Sequence, residues 1–276
     1  MAVRGADTEV RGRVGWIVLN DYQEAAEASL HDPDYLHAVA AVAAGLAEHR
    51  DNPAVRVIVI TGRNDGEFYR VCRGEHYDDR GNRSRLNPIE NPHSDGFVWP
   101  SHTMQLLATV EKPVIARVNG DAIGLGAAFL WGCDLIVADE DAVISDVHLG
   151  QRDVVDTDGD VRGFPWAVTP GDGAVSFAPL YMPPTKAKEF FLLSRVWTFR
   201  QLADMNIVNF AVPLDQLDAV VDGLVDQLLA RPATVLARAK RVLNKRMIEH
   251  WNLVQDLAIA YEQLDFFEHA AAGRMS

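Results

Sequence analysis

Gly124-Leu125-Gly126 runs directly into a stretch of small and apolar residues, Ala127-Ala128-Phe129-Leu130-Trp131-Gly132-Cys133. A helix that begins on such glycines presents backbone N–H groups with no partner inside the helix. Its dipole adds to their attraction for negative charge. The turn can therefore hold an anion, or polarise a carbonyl oxygen through the N–H of Leu125 as negative charge develops there. A third reading is a glycine-packed helix without chemistry. The anion reading has a familiar form, the dinucleotide fingerprint G-x-G-x-x-G/A, with Asp139 as the acid after the next strand. Phe129 stands at the third small position, however. The glycines also come several residues after the preceding apolar strand, and the unit lies mid-chain.

Other chemistry-bearing residues are scattered. Asp156-Thr157-Asp158-Gly159-Asp160 superficially resembles a calcium loop, but its glycine and terminal acid are out of place, so no metal site is expected. Asp172, after Pro170-Gly171, has the position of a helix cap. Cys72 and Cys133 are the only cysteines, which argues against a disulfide framework and for a reducing, cytoplasmic setting. A formal net charge of -13 argues against nucleic-acid binding. No apolar run reaches bilayer length, and MAVRGADTEV lacks a signal-peptide core, so neither a membrane nor a secretory role is expected.

The elements that must position these groups alternate. Val14 to Leu19, Val55 to Thr61, Phe68 to Gly74, Val114 to Val118, Leu135 to Ala138 and Ala142 to Ser145 read as strands, rich in β-branched residues. Leu36, Val39, Val42, Ala43 and Leu46 have helical spacing. Asn119-Gly120-Asp121 reads as a turn, while Asp78 to Gly96 and Gln151 to Val168 read as irregular loops. After about residue 200 the chain is mostly helical, with a final helix over Trp251 to His269. The fold class is thus α/β, divided into a core at 1–200 and a helical C-terminal region at 201–276.

VRVIVITG at Val55 to Gly62, EFYRVC, EKPVIARVNGDAIGLGAAFLWGCDLIVADEDAVIS, PGDG and TKAKEFFLLSRVWTFRQLADMNIVNFAVPLDQL follow one another in an order that resembles the crotonase, or enoyl-CoA hydratase/isomerase, superfamily. The resemblance runs from about Val14 to the C-terminus. It implies a spiral of ββα units, a C-terminal helical trimerisation region, and a homotrimer or dimer of trimers. It also implies an oxyanion hole built from the backbone N–H groups of Cys72 and Leu125, with Gly124 and Ala128 beside the substrate. Coenzyme A would enter as part of an acyl-CoA substrate, with no covalently bound cofactor.

Two family glutamates are replaced, by Ala128 and His148, and the family's basic CoA-contacting position holds Asp21. Arg70, Arg73 and Arg85 are candidates to compensate for that loss. Asp146-Val147-His148 and Val168 to Gly173 resemble 6-oxocamphor hydrolase and related β-diketone hydrolases, which cleave a carbon–carbon bond without CoA. That likeness implies His148 as base, Asp172 as its partner and His37 as a further catalytic histidine. Asp146 is an alternative orienter, and Phe164 and Trp166 either line an apolar pocket or pack a loop. The function expected is hydration or hydrolysis of an acyl-CoA. The alternatives are β-diketone cleavage and a degenerate ligand-binding protein.

Overall fold

The computed structural model describes residues 5–20, 38–70, 103–149, 154–162 and 166–273. Within these, strands occur in pairs that feed two sheets. β1 (Ala6–Arg11), β2 (Val14–Leu19), β3 (Val57–Gly62), β5 (Val114–Val118), β7 (Leu135–Asp139) and β12 (Phe210–Val212) form one sheet in the order β1-β2-β3-β5-β7-β12. β4 (Gly66–Arg70), β6 (Gly120–Ile123), β8 (Val143–Ser145) and β11 (Trp197–Thr198) form the other, in the order β11-β8-β6-β4. The successive pairs β3/β4, β5/β6 and β7/β8 each give one strand to each sheet, which is the expected ββ winding.

The large sheet is sandwiched because its central strands are apolar on both faces. Along β3, Ile58 and Ile60 enter the main core, while Val57 and Val59 point the other way. The second set packs with Val14, Trp16, Ile115 and Val137 against Leu217, Val221 and Val225 of helix α6 (Leu217–Leu229). Period-two alternation between two buried surfaces explains the continuous apolar runs. Helix α1 (Ala38–Asp51) covers the inner side with Ala38, Val39, Val42 and Leu46.

The corner between β5 and β6 is sharper than the turn expected from Asn119-Gly120-Asp121. Asn119 alone makes the bend, and residues 120–123 continue as strand β6. The Asn119 Oδ1 accepts from the Gly62 N–H at 2.9 Å, and its Nδ2 donates to the Asn64 carbonyl at 2.8 Å. A Cβ on Gly120 would meet the Gly66 carbonyl carbon at 1.9 Å. The two strand-pair corners thus lock together, and only glycine fits where they touch.

A second departure lies in the acidic stretch, where β9 (Val154–Val155) and β10 (Val161–Arg162) pair as an antiparallel hairpin. The Asp156 Oδ1 accepts from the backbone N–H groups of Asp158 and Asp160 at 3.0 and 2.9 Å, which organises the hairpin's turn.

The late helices are α2 (Leu125–Gly132), α3 (Ala174–Phe177), α4 (Pro184–Leu192), α5 (Phe199–Asp204), α6, α7 (Ala233–Leu243) and α8 (Lys245–Ala271). Helix α7 is pinned by Lys240, whose ammonium lies buried 2.6 Å from Asp134 Oδ2 and donates to the Lys112 carbonyl at 3.1 Å. Among the described residues no helix is long and apolar enough to cross a membrane.

Candidate functional site

β4, β6 and β8 run parallel, with Arg70 beside Ile123 and Ile123 beside Ser145 at their carboxyl ends. The chain leaving each strand therefore emerges at one edge, the usual place for ligands in open parallel sheets. From β6 it continues into Gly124 and Leu125, and from β8 into Asp146 and His148. Gly124 adopts a positive φ of 65° and its N–H donates to the Ser145 carbonyl at 3.0 Å, tying the two exits together. Leu125 is the first residue of α2, so its N–H has no acceptor one turn earlier in the helix. The helix sits close to β4 because a Cβ on Gly126 would lie 2.2 Å from the Tyr69 carbonyl oxygen. Ala128, on the next turn, is fully buried.

Asp146, His148 and Asp172 come together, all buried. The His148 Nδ1 lies 3.0 and 3.1 Å from the two carboxylate oxygens of Asp146. Asp146, the alternative orienter, is thus the carboxylate in contact with Nδ1. Asp172 is not the N-cap of α3, which is Gly173; its Oδ1 accepts from the Ala174 N–H two residues on, at 3.1 Å. Its Oδ2 is buried, with no hydrogen-bond partner among the described residues.

The Val168 N–H donates to the His148 carbonyl at 2.9 Å, which ties the stretch around Val168 to the His148 backbone. Trp166 itself is buried, with its ring 5.7 Å from that of His269 on α8. His37, Cys72, Phe164, Arg73 and Arg85 lie outside the described residues, as does Asp21.

Sequence reasoning missed Glu262. Its Oε1 lies 3.5 Å from the His148 Nε2, on the side of the ring opposite Asp146. A Cβ on Gly171 would lie 2.2 Å from Glu262 Oε2, so the P-G-D-G motif leaves space for this carboxylate. Nothing in the local pattern of α8 marks Glu262, because its significance comes only from how the helix docks. That docking is strongly polar. Gln255 Nε2 donates to the Gly171 carbonyl at 2.7 Å, and the Thr169 N–H donates to Asp265 Oδ2 at 2.6 Å.

Charge balance sets the chemistry. Burial is the largest influence on His148 and disfavours its charged form. The charges of Asp146 and Asp172, with the contacts to Asp146 and Glu262, outweigh burial and hold the imidazole well above its usual value. Burial, acting first, pushes the Asp172 carboxyl up to about 7; His148 opposes this, while Asp146 and Glu262 reinforce it. The pair consequently exchanges protons as one unit. Donor atoms of Asp146, His148 and Asp172 lie within 4.8 Å of one another, a spacing compatible with a common cation. The Nδ1–Asp146 contact is the arrangement a shared proton requires.

Arg70, a candidate for binding CoA phosphates, is engaged by carboxylates of this chain. Its Nη1 lies 3.0 Å from Asp156 and 2.6 Å from Asp158, and its Nη2 lies 3.2 Å from Glu67. The guanidinium anchors the β9–β10 hairpin to β4, and a phosphate would have to compete with these carboxylates.

Wound strand pairs thus bring a helix N-terminus and a buried acid–imidazole cluster to one sheet edge. Residues 30–153 match the family model described as enoyl-CoA hydratase/isomerase. YngF of Bacillus subtilis (strain 168), provisionally named an enoyl-CoA hydratase/isomerase, is 27% identical over 215 residues, covering 77% of this chain and 73% of that protein. A crystal structure of an enoyl-CoA hydratase/isomerase from Mycobacterium paratuberculosis superposes with a TM-score of 0.75 at 20% identity, covering 95% of this chain and 93% of the other. An enoyl-CoA hydratase from Bacillus halodurans gives 0.71 at 15% identity, with 94% and 93% covered. These findings give the chain the fold of the enoyl-CoA hydratase/isomerase structures, with sequence similarity to that family over residues 30–153.

Proposed function

We propose that the protein is an enzyme of the enoyl-CoA hydratase/isomerase type that stabilises an enolate and hydrates or hydrolyses an acyl-CoA. The observation that carries this reading is the buried His148–Asp146–Asp172 cluster at the same sheet edge as the N-terminus of α2. In this reading the Leu125 N–H, with that of Cys72, receives the carbonyl oxygen. Donors fixed before reaction stabilise the charge that appears only in the transition state.

Proton transfer then falls to the cluster. Asp146 fixes the imidazole orientation, and His148 with Asp172 takes a proton from water or substrate and returns it. The base role expected of His148 is shared, because the imidazole favours its protonated form while Asp172 changes charge near neutral pH. The protein acts as a homotrimer or dimer of trimers in a cytoplasmic setting, with no resident cofactor.

A second reading, CoA-independent cleavage of a β-diketone, is favoured by the same His–Asp pairing, since a retro-Claisen reaction needs an activated water and a stabilised enolate. One experiment separates them. Incubation with crotonyl-CoA and, separately, with a cyclic β-diketone is followed by loss of absorbance. Turnover of the thioester supports the first reading, and turnover of the diketone without CoA binding supports the second. Turnover of neither, with acyl-CoA still bound, supports a ligand-binding protein and overturns both.

A further inference from the structure

We propose that Glu262 is a positioning residue of this site, holding the Nε2 side of the His148 ring while Asp146 holds the Nδ1 side. Asp172 is then left, among the described residues, as the carboxyl with an open oxygen in the cluster. The inference rests on the proposed acid–base role of His148 for its functional meaning, but not for its test.

Three observations carry it. The Glu262 carboxylate reaches the ring from a different element, α8, and is only 12% exposed. A substituent on Gly171 would occupy its position, so the loop backbone is shaped around it. Finally, α8 is fixed against the same loop on both sides of Glu262. Gln255 holds the Gly171 carbonyl, Asp265 holds the Thr169 N–H, and the His269 Nε2 lies 2.8 Å from the Ala167 carbonyl.

Among the described residues, the groups facing His148 include Asp146 from its own loop, Asp172 from the loop before α3, and Glu262 from α8. An imidazole held between two carboxylates is fixed in orientation and retains its proton. The C-terminal helix would thus complete the site of its own protomer, in addition to any part in assembly.

The test uses the full-length protein labelled with isotopic histidine, without substrate. The His148 ring signal is assigned by its loss in His148→Gln, and its titration is followed by NMR in wild type, Glu262→Gln and Gly171→Ala. Glu262→Gln is expected to lower the pH at which His148 loses its proton by about one unit or more. Gly171→Ala retains every ionisable group but displaces the Glu262 carboxylate, and should shift the titration in the same direction. An unchanged His148 titration in Glu262→Gln overturns the proposal. A shift in Glu262→Gln with none in Gly171→Ala overturns the positioning role. Because no substrate is present, failure of the acyl-CoA reading would leave this result standing.

Discussion

Asp146 grips His148 twice: its Oδ1 accepts the His148 backbone N–H at 3.0 Å, and its two carboxylate oxygens lie 3.0 and 3.1 Å from the imidazole Nδ1. Two residues apart on one loop, they form a unit whose geometry is set locally, at the exit of β8. Asp146→Asn keeps an acceptor for the backbone N–H but removes the charge facing the ring. The variant should fold and lose activity by about 10²-fold or more, the usual scale for a disabled acid–base group. Steady-state kinetics beside a thermal melt would check this.

Asp172 gives the site a distinct pH signature. Its folded value of about 7 lies above the unfolded carboxyl value of about 3.9, so the folded protein binds the extra proton between those limits. Stability from this group therefore falls as pH rises from about 4 to 7. His148, also raised, contributes stability that is full below its unfolded value of about 6.5 and is lost as pH rises through its higher folded value. Both act in the same direction. Asp172→Asn should raise stability more at pH 8 than at pH 4, because the buried carboxylate charge is present only at the higher pH. Melts at the two pH values measure the difference.

Gly126 sets the distance between α2 and β4. Its replacement by alanine places a methyl group 2.2 Å from the Tyr69 carbonyl oxygen, and backbone cannot swing aside as a side chain does. Gly126→Ala should cost about 1–3 kcal/mol in denaturant unfolding. It should also displace the Leu125 N–H, with a fall in turnover of about 10²-fold if the shift approaches an ångström.

Helix α8 leaves a stripe of Leu253, Leu257, Tyr261, Leu264 and Phe267 exposed, with Leu253 79% accessible. Residues at these spacings share one helix face, and a contiguous apolar strip of this kind suits a second copy of the chain in the proposed trimer. Leu257→Asp combined with Leu264→Asp should reduce the assembled form to monomer in analytical ultracentrifugation. An unchanged mass would place the subunit interface elsewhere.

Much of the scaffold was legible because the central strands of the large sheet are apolar on both faces, as Val57 to Ile60 illustrate, whereas β1, with the sequence ADTEVR, is mostly exposed and carries no such signal. Strand β6 was not, since Gly-Asp-Ala-Ile is short and begins with turn-forming residues whose strand state depends on packing against Gly66. The β9–β10 hairpin was hidden for a similar reason: its strands have two residues each, and Arg70, distant in sequence, holds it in place. In the site, His148, Asp146 and Asp172 were visible through motif order, whereas Glu262 depends on the docking of a helix from the far end of the chain. The choice between Asp146 and Asp172 as orienter likewise depended on three-dimensional distances.

The central claim is that the His148 cluster moves protons on a carbonyl substrate held at the N-terminus of α2. The most direct test compares wild type with His148→Ala on whichever of crotonyl-CoA or a cyclic β-diketone the wild type turns over. A loss in kcat of about 10²-fold or more, with the fold and melting behaviour retained, is the predicted result. Equal rates for the two proteins would contradict it.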